Sequence, residues 1–113
     1  MRYLSVFKAV ETGKPPSPEM MEKMGKLVED SMKKGELLAT EGCLPTALGV
    51  RVRKTGDKVT VKDGPFTESK EVIGGFAILQ ANSKDEVISM VQKFLAVAGD
   101  GECEIRQIYD GPK

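Results

Sequence analysis

The chain has 113 residues, with 17 basic and 17 acidic side chains and a formal net charge of +0. This length suits a single domain over residues 1–113 with one hydrophobic core, and the balanced charge argues against direct binding to nucleic acid, which needs a basic excess. The chain has no histidine, which excludes Ser-His-Asp and Cys-His catalysis and removes the commonest ligand of catalytic zinc sites.

The first elements are a strand and an amphipathic helix. Residues 2–10 predict a strand that is apolar on both faces. Ser17, followed by Pro18, is suited to begin the helix, and Gly35 is suited to end it. The helix carries an apolar stripe, which we interpret as core packing rather than as the wall of an adaptable pocket. That stripe consists of Met21, Met24, Leu27, Val28 and Met32.

Strand signals fill the middle of the chain. Residues 36–40 predict a second strand, and residues 49–54 and 58–62 predict a β-hairpin. One face of the hairpin is apolar (Val50, Val52, Val59, Val61) and the other carries basic side chains (Arg51, Arg53, Lys58, Lys62). We interpret the basic face as solvent-exposed edge protection rather than as an anion site.

The last third of the chain completes the pattern. Residues 75–81 predict a buried strand. Ser83 and Glu86 form a capping box for a second helix that runs to about Val97. Residues 102–109 predict a final strand, which residues 110–112 terminate. This order predicts a ferredoxin-like (split βαβ) α+β fold, with two helices on one face of an antiparallel sheet and an inserted hairpin. Because two helices cover only one apolar face of the sheet, we expect a homodimer.

The two cysteines, Cys43 and Cys103, lack CxxC spacing, and no signal peptide precedes them. No apolar run approaches the roughly 18 residues of a membrane span. We therefore expect a cytoplasmic protein with free thiols, no membrane contact and no metal or other cofactor.

The least generic stretch is Asp63-Gly64-Pro65-Phe66-Thr67-Glu68-Ser69-Lys70-Glu71, followed by Gly74-Gly75. Gly64 and Pro65 predict a change of chain direction, and Asp63 suits either an Asx-turn or a pocket carboxylate. Phe66 looks exposed among polar neighbours. Because functional side chains concentrate on loops, this segment is the candidate ligand site, with Asp63 as the candidate catalytic acid/base. The candidate ligand-binding residues are Asp63, Phe66, Glu68, Lys70, Gly74 and Gly75.

The same stretch resembles the signature of the DGPF proteins, a branch of the YCII-related family. The resemblance covers nearly the whole chain and implies a dimeric α+β-barrel fold, without a settled activity. It also implies a link to extracytoplasmic-function sigma factors, beside which some members are encoded. The wider family has a proposed active-site dyad of a helix histidine and an aspartate. The corresponding helix stretch here holds residues 21–24, which include no histidine, so only Asp63 matches the family pattern.

Three functions agree with these observations. We favour a small dimeric protein that binds a small polar ligand in a cleft beside the 63–66 turn. One alternative is an enzyme that uses Asp63 with Glu68 or Lys70 and a water molecule. The other is a regulatory partner protein linked to a sigma factor, with the loop as its contact surface.

Overall fold

A computed structural model of the chain describes residues 1–110, so Gly111 and Pro112, expected to terminate the last strand, lie outside the described residues. Residues 1–110 form six strands, two α-helices and one short 3-10 turn. In chain order these are β1 (Arg2–Ala9), α1 (Pro18–Lys33), β2 (Leu37–Gly42), the 3-10 turn (Thr46–Leu48), β3 (Val50–Thr55), β4 (Lys58–Asp63), β5 (Val72–Gln80), α2 (Lys84–Ala98) and β6 (Glu102–Gln107).

Four of the strands form an antiparallel sheet in the order β2-β5-β1-β6. The central strand β1 pairs along its length with β5 and β6, for example Tyr3 with Leu79 and with Gln107. The register between β1 and β5 shifts beside Gly74, which is left unpaired between Ile73 and Gly75. The predicted α+β architecture, with its hairpin inserted between two main strands, is therefore confirmed, and the paired glycines do mark a bulge.

Both helices begin and end where their local chemistry predicts. The Ser17 hydroxyl accepts a hydrogen bond from the Met20 N–H, and the Ser83 hydroxyl accepts one from the Glu86 N–H. Gly35 follows α1 with a φ of 74°, a conformation that glycine adopts without steric cost. These caps satisfy backbone groups that would otherwise lack a partner at the helix ends.

The core lies between the sheet and the helices. The Tyr3 and Leu79 side chains pack beneath α2, where Val87 is fully buried and Val91 lies beside it. Phe7 meets Phe94 of α2 edge to face, with ring centroids 5.3 Å apart. By contrast, no residue of α1 is buried, so its apolar stripe is wrongly predicted as close-packed core. Val28 is the side chain of α1 that packs against the core cluster.

Nothing among residues 1–110 covers the opposite side of the sheet. Because side chains alternate along a strand, the residues between the core positions point to this side; they are half-buried and consist of Leu4, Val6, Phe76 and Ile78. We call these four residues the open face. The described part of the molecule is only 19 Å thick, which accommodates one helix layer on one sheet and leaves no room for a third layer about 10 Å further away.

The β3–β4 hairpin, called the arm below, forms a separate two-stranded sheet. It makes the molecule 45 by 44 Å across, with a radius of gyration of 16.0 Å, against about 13 Å for a compact domain of this length. Its valines share one face, as predicted, because Val52 pairs with Val61. That face is solvent-exposed: Val52 retains 67% and Val61 66% of its accessible surface.

Candidate functional site

The 63–71 segment folds against the 3-10 turn rather than projecting into solvent. The Gly64 N–H donates to the Gly49 carbonyl (2.9 Å), and the Phe66 N–H donates to the Thr46 hydroxyl (3.3 Å). The Gly64–Pro65 peptide bond is cis. A Cβ at residue 64 would lie 1.6 Å from the Thr46 carbonyl oxygen, so only glycine permits this close approach of two backbone segments. The predicted change of direction is confirmed.

Glu11, which the sequence analysis did not select, holds the other side of this turn. Its carboxylate accepts hydrogen bonds from the Thr46 N–H (2.7 Å) and the Thr46 hydroxyl (2.6 Å). These two bonds, the hydroxyl first, lower the pKa of Glu11 below its ordinary value. Residue 11 precedes the turn by 35 positions, and no local pattern connects them. The three-residue contact of Glu11, Thr46 and Phe66 therefore fixes the loop.

Phe66 is buried, with 9% of its surface exposed, so its expected exposure is wrong. The Arg51 guanidinium covers the ring at 3.8 Å from the centroid, a cation–π contact. Glu68 accepts from Arg51 (2.9 Å) and Lys62 (2.8 Å). The hydrogen bond from Lys62, followed by one from the Glu68 backbone, lowers the pKa of Glu68. Glu68 thus forms ion pairs with two of the basic side chains on the arm.

Asp63 and Lys70 are exposed. Asp63 ends β4 opposite Val50 and lies on the valine face of the arm. Within residues 1–110 its carboxylate takes part in no hydrogen bond or ion pair, so the described structure contains no Asx-turn at this position. Neither Asp63, Glu68 nor Lys70 lines either of the two cavities described below.

The larger cavity is a cleft of about 660 Å³ between α1, α2 and the sheet, called the helix–sheet cleft below. Its floor is the helix side of β1 and β5, including Ser5, Phe7 and Ala77. One wall is the apolar stripe of α1, and the other is the inner side of α2. The side chains of these walls include Met20, Met21, Met24, Leu27, Val28, Met90 and Phe94. The cleft exists because α1 stands away from the sheet.

Gly74 and Gly75 lie at one end of this cleft. A Cβ at residue 75 would lie 2.7 Å from the Glu41 carbonyl oxygen, and one at residue 74 would lie 3.2 Å from the Phe7 ring. The glycines let β2 and β5 approach closely and keep the end of the cleft open. They are therefore the two predicted ligand-binding residues that line this cleft.

Phe66, the remaining predicted residue, lines a second cavity of about 550 Å³, called the side depression below. It lies between the 3-10 turn, the base of the arm and the start of β5. Its lining is mostly apolar and includes Leu44, Leu48, Val50, Val72 and Ile73, together with Cys43. The structure thus divides the predicted set among two cavities and the exposed surface instead of bringing it together.

Polar side chains form the smaller part of the lining of the helix–sheet cleft. Ser5 is 5% exposed and presents the one buried hydroxyl of its floor among the described residues. Burial raises the pKa of the nearby Cys103 thiol, and a hydrogen bond with Ser5 opposes that rise. Cys43 and Cys103 are both free thiols, as predicted. Five charged residues also line the cleft: Asp30, Lys34, Glu36, Glu41 and Lys93.

Residues 1–110 contain neither a metal-binding cluster nor a membrane-spanning helix. No cluster of three or more histidine, cysteine, aspartate or glutamate residues there is suited to a metal ion. No helix in this range has the length and apolar character needed to cross a membrane.

Comparison with solved structures finds the same fold in 5-chloro-2-hydroxyhydroquinone dehydrochlorinase (TftG) from Burkholderia phenoliruptrix AC1100, solved in complex with 2,5-dihydroxybenzoquinone. The two chains are 19% identical, the match covers 98% of this chain and 96% of the other, and the TM-score is 0.54. This likeness confirms the α+β-barrel type of fold. A search of curated proteins finds no match. A model of the YCII-related domain matches residues 1–111, and the chain therefore belongs to the YCII-related family.

Proposed function

We propose that this protein binds a small, largely apolar organic molecule with one or two polar substituents in the helix–sheet cleft. The observation that carries this proposal is the cleft itself, because about 660 Å³ falls within the range of roughly 300–1,000 Å³ that is typical of small-molecule sites. Its walls are apolar, and such sites combine apolar walls with few polar groups that orient the ligand.

The lining indicates the chemical class of the ligand. The methionines of α1 are unbranched and polarisable, so they adapt to ligands of different outline and pack well against aromatic rings. Phe7 and Phe94 offer ring surfaces at the other side. The buried Ser5 hydroxyl forms a hydrogen bond with Cys103 and keeps free acceptor capacity, which suits the O–H group of a phenol or a hydroquinone. The ligand of the related fold, 2,5-dihydroxybenzoquinone, belongs to the same class.

This site lies next to the expected one but is not identical with it. Gly74 and Gly75 are shared between the predicted residues and the cleft, whereas Asp63 lines neither cavity. The apolar lining favours a less polar ligand than the sequence suggests. Because Asp63 is outside the cleft lining, the geometry supports ligand binding better than acid/base catalysis by that residue.

Gly25 provides a direct test. It lies in α1, lines the cleft, and has open space where a Cβ would be. The variant Gly25→Leu places a side chain from α1 into the cleft, while Gly25→Ala adds only one methyl group. Glycine inside a helix is less favourable than alanine by about 1 kcal/mol. Because both variants remove this glycine, we expect both to remain folded, and Gly25→Ala to melt at a higher temperature than the wild type.

The assay is thermal shift and calorimetric titration with phenol, hydroquinone and 2,5-dihydroxybenzoquinone. The quinone is tested in a Cys43→Ser background, because an exposed thiol is a nucleophile toward such compounds. We expect at least one probe to stabilise the wild type and Gly25→Ala but not Gly25→Leu. Equal binding to all three proteins, or binding to none, would contradict a site in this cleft.

A further inference from the structure

The Phe7 ring on the floor of the helix–sheet cleft is held by two glycines that come from opposite sides of β1. Gly74 lies in the bulge of β5 and Gly101 directly precedes β6. A Cβ at residue 74 would lie 3.2 Å from Cδ2 of the ring, and a Cβ at residue 101 would lie 2.5 Å from Cε1 on the other edge. The two glycines, called the glycine seat below, therefore enclose both edges of Phe7.

Phe94 of α2 completes this arrangement on the helix side. Its ring meets Phe7 with centroids 5.3 Å apart and ring planes inclined at 80°. Both side chains line the cleft, and we call this pair the aromatic corner. A planar ligand ring that stacks on one of them presents its edge to the other, and both contacts are favoured geometries of aromatic pairs. A saturated ring gains only the burial of apolar surface.

We infer that Phe7 is the specificity-determining residue of the helix–sheet cleft, and that the aromatic corner selects planar aromatic rings over saturated rings of the same size. The inference rests on the proposed binding function of this cleft. Selection is strongest when the receptor side chain is already fixed, because a mobile side chain loses conformational freedom as the ligand binds. The glycine seat meets this condition, since it leaves the ring no room to move toward β5 or β6.

Ser5 offers the ligand a second contact on the same strand. Residues 5 and 7 point to the same face of β1 and lie about 7 Å apart along it. The Ser5 hydroxyl keeps free acceptor capacity beside its hydrogen bond with Cys103. One hydroxylated aromatic ring can therefore donate its O–H to Ser5 and lie against Phe7. A saturated alcohol can make the same hydrogen bond, so the ring contact separates the two classes of ligand.

The first test compares phenol with cyclohexanol, which share one hydroxyl group and the ring size. Both dissociation constants are measured by NMR titration of the full chain. We expect the wild type to prefer phenol, and Phe7→Leu to reduce this preference by about three- to tenfold, which is the contribution of one aromatic contact. Phe66→Leu is the matched control, because it makes the same change at a ring outside the cleft; it should alter the preference by less than about twofold.

Phe7→Met gives the same expectation as Phe7→Leu, because methionine removes the ring while its flexible side chain refills the space. It replaces the leucine variant if circular dichroism shows that leucine disrupts the fold. Gly101→Ala tests the glycine seat without changing any residue that lines the cleft. Its new Cβ displaces the Phe7 ring, so the preference for phenol should fall by about threefold although the ring is still present.

The possible outcomes distinguish this inference from the proposed function. If Gly25→Leu abolishes the binding of both probes while the Phe7 variants keep the preference for phenol, the cleft binds ligands but Phe7 does not select them, and the inference is wrong. A wild type that binds both probes equally well also overturns it. If the wild type binds neither probe, or Gly25→Leu binds both as tightly as the wild type, the proposed site and the inference fail together.

Discussion

Substituting Gly64 tests whether the contact between the 63–71 segment and the 3-10 turn determines the stability of this region. In Gly64→Ala the new Cβ would lie 1.6 Å from the Thr46 carbonyl oxygen and 2.7 Å from the Thr46 carbonyl carbon. Real Cβ contacts are essentially never shorter than 3.0 Å, so the two backbone segments must separate by about 1.4 Å, the difference between 3.0 and 1.6 Å. Both contact atoms belong to backbone, which cannot rotate away as a side chain does.

The magnitude follows from what this separation breaks. It lengthens the hydrogen bond from Gly64 to Gly49 and the bond from Phe66 to Thr46, and it loosens the burial of the Phe66 ring. Overpacking a rigid site typically costs 1–3 kcal/mol, and lost hydrogen bonds add to this. We therefore expect a loss of about 3–4 kcal/mol in the free energy of unfolding. For a chain of this length that corresponds to a fall in Tm of roughly 12–16 °C.

The measurement is urea unfolding followed by far-UV circular dichroism, since the chain contains no tryptophan. Gly42→Ala is the matched control: it lies in β2, and the nearest atom to its added Cβ is 4.0 Å away, so it should change stability by less than about 1 kcal/mol. A Gly64→Ala protein as stable as Gly42→Ala would refute the argument that the close approach at residue 64 organises the loop.

Three further predictions concern charge and reactivity. Hydrogen bonds hold the pKa of Glu11 below its ordinary value of 4.5. The stability that Glu11 contributes is therefore fully present above the pKa of the unfolded state and is lost as the pH falls through the pKa of the folded state. In thermal melts at several pH values, Glu11→Gln should lose less stability than the wild type below about pH 4.5. Cys43 is exposed, whereas Cys103 is half-buried and burial raises its pKa. A disulfide reagent should therefore modify Cys43 rapidly and Cys103 slowly. Arg51→Lys keeps the charge but removes the planar contact with Phe66, and should lower stability by about 0.5–1 kcal/mol in urea unfolding.

Each of these predictions has a clear contrary result. Parallel pH profiles for Glu11→Gln and the wild type would show that the Glu11 contact contributes nothing to folding. Equal modification rates of the two thiols, followed by mass spectrometry, would contradict the burial of Cys103. An Arg51→Lys protein as stable as the wild type would show that charge alone, rather than stacking on Phe66, matters at residue 51.

Local chemistry in the sequence was sufficient to predict most of the fold. Ser17, Gly35 and Ser83 delimit the helices because capping and positive φ depend on nearby residues only. The start of β5 was predicted at Gly75, three residues late, because paired glycines interrupt a strand signal even though Val72 and Ile73 continue the pairing.

The site was harder to predict because it depends on distances between elements. The methionine stripe of α1 has the spacing of a core helix, and nothing in that spacing tells how far the helix stands from the sheet. Phe66 has polar neighbours in sequence, yet it is buried by Arg51 and the 3-10 turn, which lie 15 and about 20 residues before it. Glu11 had no local signal at all. Contacts of this kind are set by tertiary structure, which a linear pattern does not encode.

The absence of buried residues in α1 has a consequence for its dynamics. Segments with few buried apolar contacts open at a lower free energy than the core of the same protein. We therefore expect helix α1 to open locally at a lower free energy than the β1–β5 pair and α2. Its amides should exchange with deuterium faster than those of β1, even though both elements are regularly hydrogen-bonded. A molecule can thus enter between α1 and the sheet through local opening of one helix, without unfolding of the sheet beneath it.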